Sequence, residues 1–486
     1  MRDVLVIGGG PAGSAAAKML AELGHHVLLI DRATGPRHAL AESIPPSAKK
    51  TLAALGLRDA VDAAGFETWT GNTVWWADTG PRIEAFGAGE TGYQIDRAPF
   101  DALLRTLAAG AGAEVARGLV REVDGHHAII EVDRVTTRVS AKFILDCSGR
   151  AGVIARRGRR HAETSHHTVA MSGMWRMTGA WPETQHGHTL VASHADGWAW
   201  SVPTAPGIRY FTVMVDPRRS RLTRESPAMD VYRSELAKVA PFAPWLTQAE
   251  LVDGPWGADS SLYSADRYVG PGFLLVGDAG SFIDPLSSFG VKKALASAWT
   301  AAIAVNTALK TPTMAAAAMD FFDRREHEVH AGFSRLAATF ADAAASGDTA
   351  HPFWQARTSA SESSGVETTI DPAQLARDPA VLAAFSDLRV RTTINLRLGP
   401  NVEIGQRSVI RGHQIVMDEH LCVPAWPQGV RYLRNIDVLR LCRLATEHQD
   451  VGELYAAVER AEHGIGLPDF LGALSSLIAY KALVHL

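Results

Sequence analysis

The chain is poor in cysteine: three in 486 residues, at 147, 422 and 442, with no CxxC pair and no metal-ligand spacing. That excludes a disulfide framework and a cysteine-based metal site, and no metal is expected. Charge of one sign is also missing. A formal net charge of −4 excludes a general nucleic-acid binder, so no nucleic acid is expected as a partner. Long hydrophobic runs are absent too. The strongest late one, FLGALSSLIAYKALVHL (470–486), is broken by Ser475, Ser476, Lys481 and His485 and is too short to span a bilayer. At the other end a strand begins near residue 3, leaving no room before it for a secretory leader. The expectation is a soluble, cytoplasmic protein with no membrane partner, long enough for several domains.

What is present begins at once. DVLVIGGGPAGSAAAKMLAELGHHVLLIDR reads as a buried strand, a glycine-rich turn, a helix and a second strand. Gly8, Gly10 and Gly13 form GxGxxG. The first permits the turn, the second lets the backbone approach a pyrophosphate, and the third lets helix and strand pack closely. Pro11 and Ala12 open the helix, whose free N–H groups face a phosphate. Asp31 ends the second strand, beside Arg32, where a carboxylate accepts from ribose hydroxyls. This motif alone does not separate FAD from NAD.

Three later segments do. YQIDRAPFDALL (93–104) puts Arg97 and Asp101 around a helix start. FILDCSGR (143–150) is a strand ending in Asp146 and Gly149. GFLLVGDAGSFIDPLSSFGVKKALASAWTAA (272–302) is a strand, then Asp278, a loop with Pro285, and a helix starting near Gly290 and Val291. A strand-end acid accepts from a sugar-alcohol hydroxyl, and that helix start aims N–H groups at a flavin edge. Ser43 and Val120 complete the candidate cofactor set.

This order resembles the FAD monooxygenases of the aromatic hydroxylase type, and more closely their flavin-dependent halogenase branch, over roughly residues 1–360. ESIP (42–45), HPFWQAR (351–357) and the WAWSVP stretch (198–203) carry the likeness. The resemblance implies a Rossmann-type α/β FAD-binding domain with an inserted antiparallel substrate sheet. It implies FAD and O2 as cofactors, with reduced FAD from a separate flavin reductase or from NAD(P)H, and a flavin hydroperoxide as oxidant. It also places Trp198 and Trp200 beside a tunnel between flavin and substrate, although tryptophans two apart on a strand are also ordinary core packing.

The chain departs from that branch in two places. Halogenases use a lysine after the first crossover, and here no lysine occurs between Lys50 and Lys142. They also bind halide near a small hydroxyl residue before the loop glycine, where this chain has Phe289; a slip of one position would bring in Ser288. Both changes favour oxygen insertion. Glu67 and Glu42 are the candidate proton acceptors, unless they are exposed or turn-capping carboxylates.

Residues 161–264 alternate as an antiparallel substrate sheet between FAD-binding segments 1–160 and 265–345. His166 and His167 near its start read as an exposed pair rather than ligands. Segments around 345–353 and 359–369 read as loop, within a linker and halogenase-like helical region 346–400. The end, 401–486, reads as a small domain with helices near 435–445, 450–462 and 468–482 and a terminal strand. It resembles a winged-helix module that binds a protein substrate, or else it is a helical cap. With a lysine-free flavin site, this tail resembles the flavoprotein monooxygenases that hydroxylate a Trp in a partner polypeptide during tryptophylquinone biogenesis. Two other readings stand beside it: a halogenase or hydroxylase of a free or carrier-bound aromatic molecule, and a non-catalytic flavin-binding partner protein.

Overall fold

A computed structural model describes residues 1–32, 41–77, 80–163, 167–179, 187–223, 225–345, 351–358, 375–391 and 393–486. His166 and the segment 359–369 lie outside the described residues, as does most of 345–353. The chain divides into two units, Met1–Ser364 and Gly365–Leu486.

The first unit is built on an eight-stranded sheet. Its centre is parallel: β1 (Arg2–Ile7) lies between Val135–Asp146 and β2 (Val27–Asp31), with Phe273–Leu275 and Glu114–Arg117 outside them. Val4, Leu5 and Val6 are fully buried, as a strand covered on both faces requires. Between β1 and β2 runs α1 (Pro11–Glu22), whose alanines 15–17 are fully buried. Small side chains let it pack closely on α2 (Gly290–Lys310), equally rich in alanine. The following helix, α3 (Ala315–Ala345), packs on α2 in turn, and α4 (Pro352–Thr358) packs on α3.

The second sheet has seven strands and is wider than 161–264. It recruits Gly71–Trp75 and Arg82–Ala85 from earlier in the chain. Its pairings are antiparallel except one, between His188–His194 and Gly71–Trp75. Alternation marks each strand's two faces but carries no record of its neighbours, so this long-range pairing left no local signal. One face buries Phe211, Val213, Trp175 and Tyr232, and the other presents residues 198, 200, 202, 210, 212 and 214.

The second unit has its own core, including Leu388, Leu396, Trp426, Leu441, Leu454, Phe470 and Leu474. It takes in the helix Pro379–Val390 and the strand Leu396–Leu398, so it begins earlier than the expected 401. Three helices follow one another at Val438–Glu447, Val451–Ala461 and Leu467–Ala479. Asp450 caps the middle one, accepting from Glu453 N at 2.9 Å. A winged helix would carry its hairpin after the third helix. Here a three-stranded sheet, 403–430, precedes the helices, and the terminal strand pairs with Leu396–Leu398. The helical pattern was local and legible, whereas the strand order was not.

Candidate active site

A cavity of about 700 Å³ opens beyond the C-terminal ends of β1 and β2, within the size range of cofactor sites. Gly8 has φ +102°, and a Cβ there would lie 2.6 Å from the Cys147 carbonyl oxygen. A Cβ on Gly13 would lie 1.8 Å from the Gly8 carbonyl oxygen. Gly13 therefore supports the turn from behind and does not line the cavity. Gly10 is different: the nearest atom to its Cβ position is Arg97 Nη2, 3.8 Å away across open space. As N-cap of α1 it makes no side-chain cap, so the first helical N–H groups are left to the cavity. Gly8, Gly10, Pro11, Ala12, Asp31 and Arg32 all line the space. A backbone cradle, a helix start and a strand-end acid together fit a dinucleotide such as FAD.

One helix supplies a charged wall. In Arg97–Gly110, Arg97, Asp101 and Arg105 recur every four residues and share a face. Arg97 donates to Asp101 Oδ1 at 3.0 Å and to Glu42 Oε1 at 2.6 Å. Arg105 donates to the Gly9 carbonyl at 3.1 Å and lies 3.5 Å from Asp31 Oδ2. The sequence reading missed Arg105, although the spacing of four from Asp101 marks it. Glu42 turns its other oxygen, Oε2, toward Gly290 at the start of α2, 3.6 Å from the Cβ position there. Burial pushes the Glu42 carboxyl up from the usual range, against the pull of Arg97.

Ser43, Val120, Gly149, Asp278, Pro285, Gly290 and Val291 also line the cavity. Asp146 does not. It is fully buried and turned inward, accepting from Ser148 N, Ser148 Oγ, Ile154 N and Ala155 N, so it caps the turn after its strand. Ser148 and Gly149 take its expected place at the cavity. Glu67 is also elsewhere. It lies on Glu67–Trp69, opposite Gln94, with Gly92–Asp96 between it and the strand of Glu42. Two strand spacings put it roughly 10 Å farther across that sheet, and it does not line the cavity.

The two tryptophans divide their roles. Trp200 lines the cavity, with Ala170, Val202, Thr212 and Ala258 of the same sheet. Trp198 stacks on it, with ring centroids 4.7 Å apart at 28°. Trp198 does not line the cavity but sits in a core of Val74, Trp76, Met214, Phe353 and Trp354. Trp354 of α4 donates its indole N–H to the His194 carbonyl at 3.0 Å, which pins the FW segment to the turn before Trp198.

Phe289 is corrected as well. Its ring packs on Phe333, 5.2 Å between centroids, and does not line the cavity. Ser288, at φ +52°, lines it instead. Among the described residues no lysine lines the cavity, and its cations are Arg32, Arg97, Arg105 and Arg150. No group of three or more metal-ligating side chains occurs among the described residues, and none of their helices is long and apolar enough to cross a membrane.

Comparison with known proteins gives the site a context. The family profile of tryptophan halogenase matches residues 3–92 and 89–387. A tryptophan 2-halogenase of Chondromyces crocatus is 31% identical over 380 residues, covering 75% of this chain and 72% of that protein. The solved structure of CmlS, a flavin-dependent halogenase, superposes with a TM-score of 0.78 at 25% identity, over 99% of this chain and 95% of that one. The peptidyl tryptophan dihydroxylase QhpG, essential for tryptophylquinone cofactor biogenesis, gives 0.70 at 23% identity, over 99% and 100%, a likeness of fold.

Proposed function

Since the chain belongs to the tryptophan halogenase family, whose enzymes are oxidoreductases using FAD, reduced by a separate reductase, and O2, we propose that it inserts oxygen into an electron-rich aromatic ring. The substrate in this reading is a Trp side chain of a partner polypeptide on its way to a tryptophylquinone. The observation that carries oxygen insertion is the absence of any lysine from the cavity wall among the described residues. An ammonium is what would hold a small oxidised halogen species. The polypeptide substrate is supported by the separate C-terminal unit and by the whole-length likeness to QhpG.

Bound FAD supplies the activation of O2. The chain's own residues supply the rest. Gly10 and the start of α1, at the turn that Gly8 makes, would hold the pyrophosphate, and Asp31 would hold a ribose. Trp200, braced by Trp198, forms a rigid aromatic wall of the cavity that orients the ring and keeps water out. Glu42 is the proton acceptor: Arg97 fixes Oε1, and Oε2 takes the proton that the attacked ring releases. Glu42→Gln lowers turnover by about 100-fold or more and leaves FAD affinity near that of the wild type.

Ser288 favours a second reading, halogenation, because it puts a hydroxyl on the cavity wall beside the helix start. Intact mass spectrometry separates the two. Purified protein, reduced FAD and O2 are offered a Trp-containing polypeptide encoded beside the enzyme, and in parallel free tryptophan with chloride. Oxygen on the polypeptide Trp with free tryptophan untouched supports the proposal. A chlorine isotope doublet on the free amino acid overturns it.

A further inference from the structure

Lys293 is an unusual residue for its position. It lies in the first turn of α2, where the positive end of the helix dipole disfavours a cation. Its side chain is only 1% exposed, and a buried ammonium is costly unless paired. Its partners lie on the loop that borders the cavity. Nζ donates to Asp278 Oδ1 at 3.2 Å and to the Ser281 carbonyl at 2.5 Å. Asp278 lines the cavity and Lys293 does not. From α3, Glu326 and His330 come near enough to feel the charge of Lys293. Glu326 is buried, and its Oε2 has no hydrogen-bond partner among the described residues. Lys293 therefore joins a buried polar cluster to one carboxylate of the cofactor cavity.

We propose that Lys293 is a positioning residue for FAD: its buried ammonium fixes the Asp278 carboxylate toward the cavity, where it accepts a hydrogen bond from a hydroxyl of the cofactor. The inference rests on Asp278 being a cofactor contact. Without Lys293 the half-buried Asp278 side chain, 29% exposed, has a free rotor, and that freedom weakens its grip on a neutral hydroxyl.

The test is the dissociation constant of oxidised FAD, read by quenching of flavin fluorescence, in Lys293→Met, Asp278→Asn and the double variant. Apo-protein melting serves as the folding control. The expected result is a loss of about tenfold or more for each single variant, the size of one charge-assisted hydrogen bond. The double variant then binds no more weakly than Asp278→Asn alone. If Asp278→Asn weakens binding and Lys293→Met does not, the proposal fails while Asp278 stands as a contact. If Asp278→Asn has no effect, the contact itself is wrong and the proposal falls with it. Losses that multiply in the double variant show Lys293 acting independently of Asp278, which also overturns it. Should Lys293→Met not fold, Lys293→Gln, which keeps a polar side chain without the charge, replaces it in the same comparison and the same outcomes decide.

Discussion

The two ends of the cavity are built by opposite means. At the β1–α1 end the protein offers backbone: Gly8 makes the turn, Gly10 and the start of α1 bring N–H groups to the space, and Gly13 keeps the helix close behind them. At the sheet end it offers side chains on strands, with Trp200 beside Ala170, Thr212 and Ala258. Backbone recognition needs glycine at fixed positions, because a Cβ at Gly13 would overlap a carbonyl. A side-chain wall needs only volume and polarity, which many residues supply. The first end is intolerant of change and easily read, while the second is tolerant and nearly silent.

Substitutions sharpen that contrast. Gly13→Ala is expected to be the most damaging, with a loss of stability on the order of 4 kcal/mol in denaturant unfolding. Trp198→Ala follows, costing about 3 kcal/mol through a cavity in the core it shares with Trp76 and Trp354. Trp200→Phe, two residues along the strand, changes the unfolding free energy by no more than about 0.5 kcal/mol but raises peroxide release during turnover, since the wall is thinned. Gly10→Ala gives the inverse of Gly13→Ala. Its Cβ would meet no protein atom closer than Arg97 Nη2 at 3.8 Å, so the melting temperature of the apo-protein holds while FAD affinity falls about 100-fold, or ~3 kcal/mol.

A pH dependence arises behind the site. Burial pushes Glu326 from 4.5 up to about 7. A carboxyl raised on folding adds stability below its unfolded value and loses it as pH rises through the folded one. Relative to Glu326→Gln, the wild type should lose up to about 3 kcal/mol between pH 4.5 and 7, in thermal unfolding at a series of pH values. A flat difference would show that the carboxyl is solvated or paired.

How much of this was legible follows the same division. The nucleotide-binding turn, the α2 start and Asp278 could be read because each is a local pattern with a backbone reason. Asp146 could not: a strand-end acid looks the same whether it faces a ligand or caps its own turn, and only the four donors around it decide. Glu67 was misjudged because its distance from Glu42 depends on an intervening strand from residues 92–96. Lys293 was passed over, since its partners are set by how α2 meets α3 and the Asp278 loop. The seven-stranded sheet was half legible: its strands show in the alternation, and its recruitment of Gly71–Trp75 does not.

Turnover under oxygen-18 gas in saturating chloride tests the central claim most directly, with the polypeptide product read by intact mass and fragmentation. The account predicts one or two oxygen-18 atoms on the target Trp and no chlorine isotope pattern. Chlorine on that Trp, or on any aromatic ring, without oxygen-18 would contradict it and make Ser288, rather than the missing lysine, the residue that decides the chemistry.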